Sequence, residues 1–164
     1  MANSTSKAEL TLFSRYVIDS SFILDFWNDG NGYPKDVPPF KGIWNHIDTL
    51  VNNGEIISTE EIYEELKDDD KKELVRWLKG NKRMFFDVDL NQTSMVELIV
   101  NKYQNLTFES GADPFVVALA KQHGLTVLTT EKPSGGAQTP KIPDLCKEHG
   151  VCCMDIPGFC KAEF

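Results

Sequence analysis

Five short β-prone apolar runs are separated from one another by segments of helical periodicity, and this alternation constrains the chain more than any single residue does. The runs are Tyr16-Val17-Ile18, Glu55-Ile56-Ile57-Ser58, Met84-Phe85-Phe86, Leu125-Thr126-Val127-Leu128-Thr129 and the stretch from Val151 to Met154. Strands that alternate with helices return to one sheet in parallel, through right-handed crossovers that place helices on both faces. The expected fold class is α/β, a three-layer α/β/α sandwich around a central, mostly parallel sheet.

The intervening segments support that expectation. Phe22, Ile23, Leu24, Phe26 and Trp27 form one or two apolar helical turns after the first strand. A helix with Ile43, Trp44, Ile47, Leu50 and Val51 on one face follows a loop over 28–40 rich in Gly, Pro, Asn and Asp, and Gly54 ends it. Ser58 or Thr59 is placed to cap a helix over 60–66, with Glu61 at a capping-box position. Further helices are expected around Leu74 to Leu78, over 94–103, from Asp113-Pro114 to Gly124, and over 142–149. Trp44, Ile47, Ile62, Leu66, Phe115, Val116, Leu119, Val127 and Leu128 should share one core. Residues 1–14 read as a flexible leader and 15–164 as a single domain.

Composition excludes several classes. With 41% hydrophobic and 26% charged residues over 164 positions, the chain can bury a core, and it is neither disordered nor a coiled coil. It has no apolar run of membrane-spanning length and no signal-peptide pattern, so a cytoplasmic location with no membrane contact is expected. Cys146, Cys152, Cys153 and Cys160 lack the paired Cys-x-x-Cys spacing of a zinc site and read as reduced thiols in the core of the last helix and strand. The net charge of −8 offers none of the basic surface that ordinarily marks a nucleic-acid binder. Carboxylates that converge on divalent cations would invert that sign locally and allow phosphates to bind.

Four acids sit at or near the carboxyl ends of the expected strands, where open α/β sheets gather functional groups. Asp19 follows Ile18, Glu65 lies on the helix after Ile57, Asp113 opens the apolar helix, and Glu131 follows Thr129 by two residues. Each also has an ordinary reading: Asp19 and Asp113 as helix caps, Glu65 as surface charge beside Glu64, Glu131 as loop polarity. Their joint placement beside strand ends is what independent caps and surface charges would not produce. Other hydrolase patterns are lacking. Ser21 stands where an aspartyl-phosphate enzyme would carry a second Asp, and no Gly-x-Ser-x-Gly elbow occurs.

The ordered segments Tyr16-Val17-Ile18-Asp19-Ser20-Ser21, Glu64-Glu65-Leu66, Ala112-Asp113-Pro114-Phe115-Val116-Val117-Ala118-Leu119-Ala120 and Val127-Leu128-Thr129-Thr130-Glu131 resemble the motif series of the PIN-domain (PilT N-terminus-like) nucleases. The resemblance spans residues 15–155, and Thr129-Thr130-Glu131-Lys132-Pro133 with Lys141-Ile142-Pro143-Asp144-Leu145-Cys146 looks like a prokaryotic branch related to the VapC toxins. It implies a metal-dependent endoribonuclease of a toxin–antitoxin type system, with Asp19, Glu65, Asp113 and Glu131 holding Mg²⁺ or Mn²⁺. Glu131 stands where many members carry Asp. Ser20 or Ser21 would support the first acid, Thr129 matches the family threonine, and Lys132 is a candidate phosphate contact. RNA and an antitoxin-like protein are the implied partners, and a homodimer is left open. The rival reading is a catalytically weak PIN-like module that binds RNA or protein under a partner's control.

Overall fold

The computed structural model describes residues 12–28, 32–103, 111–135 and 139–164. Five strands, β1 (Tyr16–Ile18), β2 (Ile56–Thr59), β3 (Phe85–Phe86), β4 (Thr126–Leu128) and β5 (Cys153–Met154), form one sheet in the order β3-β2-β1-β4-β5. Every neighbouring pair is parallel, with Tyr16 opposite both Ile56 and Thr126, Ser58 opposite Phe85, and Val127 opposite Cys153. The chain builds outward from β1 to β2 and β3, then returns to the other side for β4 and β5. The strand order therefore reverses at β1, and the crevice beyond the carboxyl ends of β1 and β4 is where such sheets receive ligands.

The helices are α1 (Ser20–Trp27), α2 (Phe40–Asn52), α3 (Glu60–Leu66), α4 (Lys72–Gly80), α5 (Leu90–Lys102), α6 (Asp113–His123), α7 (Ile142–His149) and α8 (Ile156–Glu163). Strands buried on both faces need continuous apolar side chains, and Val17, Ile18, Ile56, Ile57, Val127 and Leu128 are all at most 1% exposed. α6 packs on β1, β2 and β4 through Val116, Val117, Leu119 and Ala120, and it ends at Gly124, whose φ of 65° is the left-handed cap conformation. Phe22, Phe26 and Trp44 extend the same core.

Several expectations need correction. Phe115 is only half-buried and lies outside the core, because it falls on the flank of α6 turned away from the sheet. α5 begins at Leu90 rather than at residue 94, started by a capping box in which Gln92 N donates to Asp89 and Asp89 N to Gln92. Thr59 is the N-cap residue of α3 but makes no side-chain cap hydrogen bond. Cys152 and Cys153 are exposed and Cys160 half-buried, so only Cys146 is a core thiol. α8 follows the last expected strand, in a stretch to which the sequence pattern assigns no element. Ser14, placed in the leader, is buried and donates to the Gly54 carbonyl at 2.8 Å; residues 1–11 of that leader and 136–138 of the loop after Glu131 lie outside the described residues. No helix among the described residues is long and apolar enough to cross a membrane.

Candidate functional site

Asp19 leaves β1 with its backbone N–H donating to Leu128 O, and it is also the N-cap of α1. The cap reading and the site reading of this residue are thus compatible. Its Oδ2 receives three donors: Ser21 Oγ at 2.6 Å, Thr129 Oγ1 at 3.1 Å and Ser21 N at 3.3 Å. Its Oδ1 makes a 3.5 Å contact with Ser20 Oγ, and the Ser20 backbone amide also acts on the carboxylate. Both hydroxyls that hold Oδ2 also accept from the loop after β4, Ser21 Oγ from Thr130 N and Thr129 Oγ1 from Glu131 N. The carboxylate at the end of β1 is therefore stitched to the backbone that carries Glu131. Burial raises the Asp19 pKa and these hydrogen bonds oppose the rise.

Ser20 Oγ donates to Glu65 Oε1 at 2.9 Å and so links α1 to the end of α3. Glu64, the neighbouring acid, is turned to Lys67 at 2.5 Å. Glu131 points its Oε2 at the N–H of Ile142, the first residue of α7, at 2.9 Å. Beyond it the loop is tied by Asp144, which accepts from Ser134 N and Lys141 N. Burial raises the pKa of Glu131, opposed by the Ile142 amide and reinforced by Asp19 and Glu65.

Asp113 differs from all of these. It is fully buried at the first position of α6, where Ala112 is the cap, so it caps nothing. Neither of its carboxylate oxygens has a hydrogen-bond partner among the described residues. Its pKa is pushed up to about 8, first by burial and then by the charges of Glu131, Asp19 and Glu65. Those three influences put all four acids in one electrostatic neighbourhood. No group of three or more His, Cys, Asp or Glu side chains among the described residues is already drawn together in a metal-ligand arrangement.

Lys132 is exposed and lies 3.4 Å from Asp155, so it faces the α8 cap rather than the four acids. Asp25, which the sequence reasoning missed, lies one turn after Ser21 on α1. Its pKa is raised by burial and held back by Thr130 and Lys132. The four-residue spacing from Ser21 was the signal that could have found it.

FitAcB from Neisseria gonorrhoeae has a similar structure, with a TM-score of 0.54 at 14% identity over 85% of this chain and 96% of that chain. VapBC2 from Rickettsia felis, solved bound to a DNA fragment from its promoter, matches with a TM-score of 0.50 at 14% identity over 85% and 97%. No curated protein matches the sequence. The parallel sheet, its reversal at β1 and this likeness define an α/β domain of PIN-like fold. Within that class the chain belongs to the family described as Domain of unknown function (DUF4411), whose model matches residues 16–163.

Proposed function

We propose that this chain is a Mg²⁺- or Mn²⁺-dependent phosphodiesterase acting on RNA, the toxin partner of an antitoxin-like protein. The observation that carries the reading is Asp113, a buried carboxyl that feels the charges of three other acids and has no hydrogen-bond partner for either oxygen among the described residues. A buried polar group left unpaired costs stability. A divalent cation taken up by oxygen donors would satisfy it, and an all-oxygen donor set suits Mg²⁺ or Mn²⁺. The weakly used Oδ1 of Asp19 is a second available oxygen.

On this reading Asp19, Glu65, Asp113 and Glu131 hold the metal. When bound, it would polarise the phosphate and lower the pKa of an attacking water. Ser21 and Thr129 fix Asp19 in one orientation by occupying Oδ2, which leaves Oδ1 for the ligand. Ser20 holds the exposed Glu65 by a hydrogen bond, and the Ile142 amide orients Glu131. Without metal, Asp113 keeps its proton at neutral pH, which lessens repulsion in the cluster; the proton must leave when a cation arrives. The likeness in fold to FitAcB and VapBC2 supports the toxin–antitoxin setting.

The engagement of Glu131 by the Ile142 amide favours the second reading, a PIN-like module that binds RNA or a protein partner with little turnover. Incubating the purified chain with an RNA panel, with and without Mn²⁺, separates the two. Metal-dependent cleavage that Asp113→Asn removes is the expected result. Intact RNA in Mn²⁺ supports the binding module instead.

A further inference from the structure

A hollow of about 530 Å³ opens at the end of α3 and runs along α4, and its walls are mostly cationic. Lys72, Arg76 and Lys79 line it at positions i, i+4 and i+7, which places all three on one face of α4. All three are exposed, and none has an ion-pair partner among the described residues. Lys67 stands at the mouth, already paired with Glu64. The acids of the same wall do not neutralise the α4 face. Asp69 accepts from Lys71 N and lies 3.9 Å from Lys71 Nζ, while Asp68 acts on Lys67. Like charges three and four residues apart on a helix destabilise it, so this row is a local cost on a chain whose net charge is −8.

A second hollow of about 250 Å³ shares Lys72 and is lined by the cations Lys35 and Lys71, the acids Asp36 and Glu73, and Trp27. Trp27 offers no free ring face there, since Lys35 Nζ lies 4.5 Å from its ring centroid and Trp44 and Trp77 pack against it, so the groove's claim on a ligand is the charge of its cations. The groove begins where the site ends: Lys67 caps α3 two residues after Glu65. Residues two apart do not share a helix face, so a strand leaving the groove rounds the end of α3 to reach Glu65.

We propose that the α4 face formed by Lys72, Arg76 and Lys79, with Lys67 at its mouth, is the track that holds the phosphodiester backbone of RNA and leads it to the four acids. The proposal rests on the nuclease reading for what lies at the track's end, but it can be tested apart from turnover. An acidic protein segment could match the cations equally well. It would, however, carry its own carboxylates up to Glu65 and Asp113, whereas a phosphodiester is what a metal-loaded acidic site accepts.

The test is fluorescence anisotropy of the full chain with a labelled oligouridylate in EDTA, where no metal-dependent cleavage occurs. The triple variant Lys72→Gln, Arg76→Gln, Lys79→Gln should bind at least about tenfold more weakly at low salt. Its slope of log affinity against log salt should be shallower by about 2, since each single-strand phosphate contact contributes roughly 0.7. Asp68→Asn, which removes an acid from the groove wall, should bind more tightly than wild type. That variant decides the matter if the triple variant does not fold.

Wild-type affinity and salt slope in the triple variant would overturn the track, as would absence of binding by the wild type. Equal binding of a polyglutamate of the same length would assign the groove to an acidic protein segment and also overturn it. Failure of the nuclease reading looks different: RNA stays intact in Mn²⁺ while these binding differences persist in EDTA.

Discussion

Glu163 and Asp113 are both buried carboxyls, the first held by Arg15 and Tyr16 at the amino end of β1 and the second near Asp19 at its carboxyl end. Glu163, with its side chain 7% exposed, accepts from Arg15 at 2.6 and 3.1 Å and from Tyr16 Oη at 2.6 Å, and His46 Nε2 lies 2.9 Å away. These partners, Arg15 foremost, hold its pKa down to about 2. Asp113 has no such partner among the described residues, and burial pushes its pKa up to about 8. The same fold thus saturates one buried acid with donors and leaves another bare. The first joins the last helix to the first strand. The second makes no such link among the described residues, and on the proposed function it is where a ligand would bind.

Removing the bare acid should give the largest effect on activity. Asp113→Asn should lower metal-dependent RNA cleavage by about a hundredfold or more, since even the groups that only support metal ligands cost about 10–100-fold. Initial rates on one RNA substrate in Mn²⁺ measure this, and a rate within a few-fold of wild type would place Asp113 outside the site. Removing the saturated acid should act on stability alone. Glu163→Gln should cost about 2 kcal/mol in urea unfolding, in the range for hydrogen bonds to a charged group, with cleavage by the folded variant unchanged. A large loss of cleavage in that variant would break the contrast between the two ends.

Ser20→Ala tests a supporting contact and should have a smaller effect. It frees Glu65 without touching the core, so about a tenfold loss of cleavage is expected with little change in melting temperature. The corresponding change at Glu64, which faces Lys67, should leave cleavage as it is.

The two ends should also respond to pH with opposite signs. Glu163 has its pKa lowered, so its stabilisation is present above the ordinary carboxyl pKa of about 4.3 and is lost as pH falls toward about 2. Asp113 has its pKa raised, so in the absence of metal its native state keeps a proton that the unfolded chain releases above pH ~4. Its contribution is full below that value and is lost as pH rises toward about 8. Unfolding free energies in EDTA across pH 2 to 8 should show the low-pH limb flatten in Glu163→Gln and the high-pH decline flatten in Asp113→Asn.

The carboxyl end was the more legible of the two in the sequence. Asp19 and Asp113 depend on local patterns, an apolar run that stops at Asp19 and an apolar helix that opens at Asp113. The amino end was not legible, because Glu163 meets Tyr16 across 147 residues and His46 across 117, on a helix for which the sequence analysis names no element. A start signal was there, since Asp155 caps α8 by accepting from Gly158 N, with Pro157 in the first turn. α5 was shortened for a different reason: Leu90 is 87% exposed, so its first turn gave no apolar periodicity, and only the Asp89–Gln92 pair marked it. Most of the core needed no long-range information. Phe115 was misjudged because an almost continuous apolar run does not say which flank faces the sheet.

The most direct test of the contrast is unfolding free energy at pH 8 as a function of Mn²⁺, measured for wild type and Asp113→Asn by urea titration. Binding to the native state alone stabilises by RT ln(1 + [L]/Kd), about 2.7 kcal/mol at a hundredfold excess over Kd. The account predicts a rise of that form in wild type and little or none in Asp113→Asn, with the variant the more stable of the two before metal is added. A wild type indifferent to Mn²⁺, or a variant that gains as much as wild type, would contradict it.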